Sequence, residues 1–443
     1  MFTTLKNAWH IAELRKKICY TLLILILFRV GSAVPVPFLD STALQAMVTG
    51  SGNLLGYIDI LSGGAFSRAT VFALSITPYI TSSIVIQLLT VAIPALERLS
   101  KEGEDGRKKI NKITRYVTVA LALLQAFAYY TLLRNQSRAV LYRSGFAGIF
   151  SALVIIAAFT AGAMLVVYLG ERIDENGVGN GISLILFAGI VSRAPNAINT
   201  LWSYLKLAAE GETMYYFTVP LIVVLFLALI VVIIIMTNAE RRIPVQYAKR
   251  VVGRKMYGGS STYLPLKINM SGVIPPIFAS SILAIPTLIS QFGNAEAGWV
   301  QWINTNLANT TSVWYICLYA LMIVFFTFFY TEITFNTDET ADNMKQYGGF
   351  IPGIRAGNAT ARYLKYVINR LNTVGAVYLL FVALLPTVLI MALNLNANLP
   401  FGGTTILIIA GVGLDTLRQA KAQTEQYQYA GFLFDNTSHI EGK

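Results

Sequence analysis

Few residues of this 443-residue chain could carry covalent or redox chemistry, and their placement argues against it. The only histidines, His10 and His439, sit near the two ends, which leaves no imidazole inside an apolar run where a proton relay would need one. Cys19 and Cys317, the only cysteines, lie far apart in or beside apolar segments and fit neither a metal-ligand spacing nor a disulfide framework. The stretch GVGNGIS (177–183) is rich in glycine but lacks the neighbouring lysine of a phosphate-cradling loop and runs straight into an apolar segment. Asp415, near the end of the last apolar run, is the one acid placed for ion coupling. The expectation is no catalytic residue, no metal, no cofactor and no enzyme. What stands out instead is polarity inside two apolar segments. VFALSITPYITSSIVIQLLTV (71–91) holds Pro78, Gln87 and several hydroxyls, and SGVIPPIFASSILAIPTLIS (271–290) holds Pro275, Pro276, Pro286, Ser280 and Ser281. Such groups either pack and kink membrane helices or line a pathway.

The elements that must position them are membrane helices. Mean hydropathy is +0.59, with 55% hydrophobic and 13% charged residues, against roughly 25% charged in soluble domains. The apolar runs recur along the whole chain without a long polar insert, which predicts one polytopic membrane domain. The net charge of +12 could suggest nucleic acid, but the charges fall between the apolar runs, where membrane topology accounts for them. A span needs about 20 apolar residues. Ten candidates run roughly over 18–36, 71–93, 116–133, 147–170, 182–204, 214–237, 270–290, 313–334, 371–393 and 403–420. The first follows Arg15, Lys16 and Lys17 and has no small-residue cleavage pattern, so it reads as a span rather than a signal peptide.

Ten crossings put both termini on one side. If that side is the cytoplasm, its segments hold all but seven of the 34 Lys and Arg residues, the exceptions being Arg29, Arg68, Arg134, Arg138, Arg143, Arg193 and Lys206. The positive-inside rule then sets the orientation. Two inside loops are long enough to suggest function. The loop 239–269 carries Lys249, Arg250, Arg254 and Lys255, and the loop 335–370 has a Gly and Pro hairpin around Arg355. The alternative is a solvated run of charges that only sets topology.

Cut into five plus five, the chain has its two polar-interrupted spans at corresponding positions, second in each half. Matched interrupted helices point to the pathway of a protein built from repeats, and five spans per half make any such symmetry inverted. Before the second span, NLLGYIDILSGGAFSR (53–68) is apolar but too short to cross, with Leu54, Leu55, Ile58 and Leu61 at helical spacing and Gly63 and Gly64 as a joint.

Several motifs together closely resemble the SecY family, the channel subunits of the bacterial Sec translocon. They are LSGGAFSRATVFALSITPYITSSIVIQLL (61–89), EGEDGRKKI (102–110), GNGISLILFAGIV (179–191), QYAKRVVGRKMYGG (246–259), LPLKINMSGVIPPIFASSI (264–282), FNTDETADNMKQYGGFIPGIRAG (335–357) and FGGTTILI (401–408). The resemblance spans about 12–418. It implies an all-α polytopic membrane protein with ten transmembrane helices in two inverted, pseudo-symmetric halves, 1–204 and 205–420, and a tail at 421–443 unlike the usual basic end of the family. Residues 54–67 correspond to a short re-entrant plug helix, and Ile76, Ile80, Leu186, Ile277 and Ile408 to an apolar pore ring. Thr81, Ser82, Gln87, Ser280 and Ser281 fall at or near the lateral gate between the second and seventh spans, where modest polar groups would hold the two helices together. Lys249, Arg250, Arg254, Lys255 and Arg355 would dock the ribosome or the SecA motor ATPase.

The function so implied is a passive protein-conducting channel for unfolded preproteins and inserting membrane proteins. It would sit in the bacterial cytoplasmic membrane, with SecE and SecG as subunits, signal sequences as ligands and membrane lipid at the gate. Without the resemblance, a secondary transporter with a midplane solute site and a membrane scaffold for ribosomes remain alternatives. A polar or charged pocket at the waist would favour the transporter.

Overall fold

The computed structural model describes residues 9–48, 59, 62–135, 139–142, 144–210, 213–247, 250–252, 255–257, 261–290, 293, 297–393 and 402–437. Each predicted span coincides with a helix or a broken helix. In the first half these are α1 (Ala12–Gly31), a short α2 (Ser41–Val48), α3 (Thr77–Ala92), α4 (Pro94–Lys101), α5 (Glu104–Asn135), α6 (Gly145–Asn176), α7 (Gly181–Val191) and α8 (Ala194–Ala209). The second half begins with α9 (Tyr215–Asn238), then strands β1 (Glu240–Tyr247), β2 (Arg250–Val252), β3 (Lys255–Tyr257) and β4 (Ser261–Lys267). It continues with α10 (Ile274–Ser290), α11 (Gly298–Asn306), α12 (Val313–Thr334), α13 (Thr337–Gln346), β5 (Gly349–Phe350), α14 (Asn358–Ala392) and α15 (Gly403–Thr437). Among the described residues, six helical stretches are long and apolar enough to cross a membrane unaided, with α7 and α8 counted as one, and the bent pair α3 and α4 would make a seventh.

Two spans differ from the sequence expectation. The second, expected over 71–93, is helical only from Thr77, and residues 71–76 form turns. Pro78 sits in the first helical turn, where a missing N–H costs nothing, and so favours a start there. At the other end Ile93 is extended because Pro94 follows it, and the chain bends by 101° into α4. The fifth span, expected to be continuous over 182–204, breaks at Ser192 and Arg193, with Pro195 in the first turn of the next helix. Half of the plug helix expected over 54–67 falls outside the described residues, Leu54, Leu55, Ile58 and Leu61 included. Its described end, residues 62–67, is a series of turns.

To the helices the structure adds five short strands that the sequence reading did not anticipate. β1 lies between β4 and β5, antiparallel to both, with Ile243 opposite Leu264 and Gln246 opposite Phe350. Along β1, Ile243 and Val245 point inward while their neighbours face out, an alternation hidden by the surrounding charges. They pack with Leu266, Met344, Ile351, Leu364 and Ile368, so the sheet, α13 and the foot of α14 share a small core.

The two halves repeat one packing order. In the first, α3 packs on α5, α5 on α6 and α6 on α7; in the second, α10 packs on α12, α12 on α14 and α14 on α15. The halves meet where α3 packs on α10, α7 on α15 and α8 on α9. The last contact is reinforced by Tyr204 stacked on Tyr215 at 5.1 Å.

Candidate functional site

At the centre, Ile76, Leu186 and Ile408 are buried in one apolar cluster, with Ile80 and Ile277 half-buried against it. These five side chains come from four helices and from both halves. Ile76 is the residue at which α3 starts, directly before Thr77 and Pro78. Leu186 is held by the start of α7, where Asn180 caps the helix by accepting from the Ser183 N–H at 2.9 Å and Asp174 accepts from the Gly181 N–H at 2.7 Å. A Cβ on Gly181 would stand 2.0 Å from the Gly170 carbonyl oxygen, so only glycine lets α7 lie this close to α6. Ile24, Phe28, Phe72 and Val412 complete the surroundings. A constriction of branched apolar side chains excludes water and ions by dewetting and offers no fixed charge to bind a solute.

Beside this cluster, the described residues before α3 form a run of turns held by polar bonds. Asp59 is 4% exposed; its Oδ1 accepts from the Ser67 N–H at 2.7 Å, and its Oδ2 pairs with the Arg193 guanidinium. Arg29 donates to the Gly63 carbonyl at 3.3 Å and to Ser192 Oγ at 2.9 Å. Gly63 and Gly64 have φ of 66° and 87°, in the left-handed region that glycine tolerates without strain. Further along, Phe66 stacks on Tyr129 at 4.3 Å, and the Tyr129 hydroxyl donates to the Phe66 carbonyl at 2.9 Å. Residue 70 then pairs with Pro35 in an antiparallel bridge. Sequence reasoning counted Arg29 and Arg193 only as outside charges and passed over Asp59. The available signal was ionisable residues at the membrane level of the chain, each of which is a functional candidate by default.

The helices α3 and α10 lie side by side, and their contact is apolar. Ile84 shares a core with Phe278, Ala279 and Leu283, with Ile80, Leu88 and Ile282 half-buried against it. Of the hydroxyls expected there, Thr81 donates back to the Thr77 carbonyl at 3.0 Å and Ser280 to the Ile277 carbonyl at 3.0 Å. Ser82 meets Thr118 of α5 at 2.5 Å, within its own half, and Gln87 reaches Ser83 at 3.5 Å. Ser281 is half-buried. These bonds fasten each helix to itself or to its own half rather than across the seam.

Of the basic residues, Arg250 and Lys255 stand in β2 and β3, which form a two-stranded hairpin, while Lys249 and Arg254 lie outside the described residues. Arg355 is exposed on the turn between β5 and α14, and its carbonyl accepts from Thr360 Oγ1 at 2.8 Å. The described residues contain no cluster of His, Cys, Asp and Glu able to hold a metal ion, and both cysteines are exposed and free.

Comparison with known proteins agrees with this architecture. The SecY family pattern matches residues 70–417. The protein translocase subunit SecY of Streptomyces coelicolor is 47% identical over 443 residues, covering 98% of this chain and 100% of that protein. Its counterpart in Mycobacterium tuberculosis is 44% identical over 449 residues, with the same coverage of 98% and 100%. A solved structure described as a protein conducting channel superposes with a TM-score of 0.62 at 19% identity, over 92% of this chain and 91% of that one. Sec61 from a canine ribosome-channel complex gives a TM-score of 0.59 at 18% identity, with coverage of 92% and 91%.

Proposed function

We propose, because this chain belongs to the SecY family, that it is the protein-conducting subunit of a bacterial translocase, passing unfolded preproteins across the cytoplasmic membrane and releasing membrane segments sideways into lipid. The observation that carries the reading is the meeting of Ile76, Ile80, Leu186, Ile277 and Ile408 from both halves in one apolar waist. That waist gives a solute transporter no polar pocket, and it suits a cargo of varied chemistry that must pass without leaving an ion leak.

In this reading, residues 54–67 stopper the pore at rest, and α3 and α10 part to form the lateral gate. A signal sequence enters between them as an apolar helix. The chain consumes no nucleotide itself; the drive comes from the SecA ATPase or the elongating ribosome, docked on Arg355 and on the basic hairpin with Lys249, Arg250, Arg254 and Lys255. Positive charge there suits ribosomal RNA phosphates or an acidic motor surface. SecE and SecG complete the complex, both termini are cytosolic, and the chain divides functionally into halves at about residue 204. Support for the sidedness comes from the excess of Lys and Arg on the termini's side.

The test is reconstitution of the chain with SecE and SecG in lipid vesicles. Preprotein should become protected from external protease only when SecA and ATP are supplied. Protection without them, or none with them, overturns the reading.

A further inference from the structure

Three separate pieces of chain meet at the plug seat: the end of α1, the turns after Asp59, and the break between α7 and α8. Each contributes a group that the others need. Asp59 divides its carboxylate, with Oδ1 tying the turn through the Ser67 N–H at 2.7 Å while Oδ2 meets Arg193. The Asp59 carbonyl also accepts from the Gly64 N–H at 2.8 Å and from Ser62 Oγ at 3.0 Å, so the carboxylate is fixed to a closed turn. Arg193 sits in the break itself, with a side chain 20% exposed against 6% for Asp59, and Arg29 bridges the Gly63 carbonyl to Ser192. The glycines make room for this: a Cβ on Gly63 would stand 3.0 Å from Arg29 Nη1, and one on Gly64 3.0 Å from Arg193 Nη2.

The break in the fifth span has a use in this arrangement. The backbone N–H groups of Ser192 and Arg193 stay bonded within the span, to the Ala188 and Ile190 carbonyls, and it is their side chains that meet Arg29 and the turns after Asp59. We propose that the Asp59–Arg193 ion pair, backed by Arg29, is a latch that positions the plug in its closed seat and must be broken for the channel to open. The proposal rests on the reading of residues 54–67 as a plug. An ion pair suits the task because Asp59 is buried and pairs with one guanidinium among the described residues, so removing either member leaves the other charge without its counter-ion. The apolar waist, in contrast, closes around whatever apolar surface it meets.

The test uses the full channel complex in planar bilayers, with resting ion conductance as the readout for Asp59→Asn, Arg193→Gln, the double variant, Arg193→Lys and a deletion of 54–67. Each neutralising single variant should raise the conductance by about tenfold or more, since one buried partner is left unpaired. The double variant should leak no more than the worse single one, because the two residues act through one contact. Arg193→Lys, which keeps the charge, should stay within about threefold of the unaltered channel. Unchanged conductance in the single variants, multiplying effects in the double, or Arg193→Lys as leaky as Arg193→Gln would overturn the latch. If these fail while the deletion leaks, the plug reading stands without the latch; if the deletion does not leak, the plug reading itself fails.

Discussion

The seam between the halves and the sheet at the foot of the second half are both held by apolar side chains, yet they are built for opposite purposes. At the foot, Ile243, Val245 and Leu266 are buried beneath a sheet whose strands are hydrogen-bonded in fixed register. Removing apolar surface from water is worth about 25 cal/mol per Å², so the core and the sheet reinforce one another and hold Arg355 on a defined turn. At the seam, Ile84 meets Phe278, Ala279 and Leu283 with lipid as the surrounding solvent. Hydrocarbon tails are as apolar as leucine, so little hydrophobic driving force separates closed helices from helices parted by lipid or by an apolar signal segment. Thr81 and Ser280 each donate to a carbonyl of their own helix, and Ser82 meets Thr118 within the first half. A directional sheet suits the docking platform proposed above, and a non-directional seam suits the proposed lateral gate.

The sharpest way to break this contrast is to lock the seam. In a background lacking Cys19 and Cys317, cysteines at Thr81 and Ile282 joined by a cleavable crosslinker should stop export almost completely and release it on cleavage, measured as preprotein protected in vesicles. Full export with the crosslink intact would mean that the seam does not move. Next, Arg355→Glu should lower motor-driven export by roughly tenfold through weakened docking of a charged partner. Its thermal unfolding should match that of the unaltered chain, because the residue is exposed and only its backbone carbonyl is bonded. Normal export in this variant would reduce the foot to a topology-setting charge.

Replacing Ile76, Ile80 and Ile277 together with serine should raise resting ion conductance several-fold while the plug stays in place, since a wetted constriction passes ions. An unchanged conductance would leave the seal to the plug alone. The smallest effect is expected at Ser82→Ala, which removes the hydroxyl's contacts with Thr118 and with the Tyr79 carbonyl, both inside the first half. It should cost under about 1 kcal/mol in unfolding measurements and leave export unaltered. A gating defect there would show that these contacts serve the seam after all.

Much of the architecture was legible because membrane insertion is a local problem. Apolar length, proline and the distribution of Lys and Arg are properties of neighbouring residues, and the span expected over 313–334 coincides with α12 (Val313–Thr334). The Pro and Ser contrast picked out α3 and α10 as a pair, and they do lie side by side. The resemblance to a family, rather than periodicity, selected the five waist residues from many similar isoleucines and leucines. The β strands were missed because the alternation of Ile243 and Val245 is only two residues deep and sits among charges.

By itself, then, the sequence determined that this is a multi-pass membrane protein of the SecY family, because both properties follow from composition and order along the chain. Only the tertiary structure decided that Ser82 turns to Thr118, that the fifth span opens at Arg193, and that Arg29, Asp59 and Arg193 share one seat. The hydrogen bond from Arg29 to Ser192 joins residues 163 positions apart. No local rule pairs such groups; the pairing follows from which helices pack together and from the free energy of leaving a buried charge without a partner.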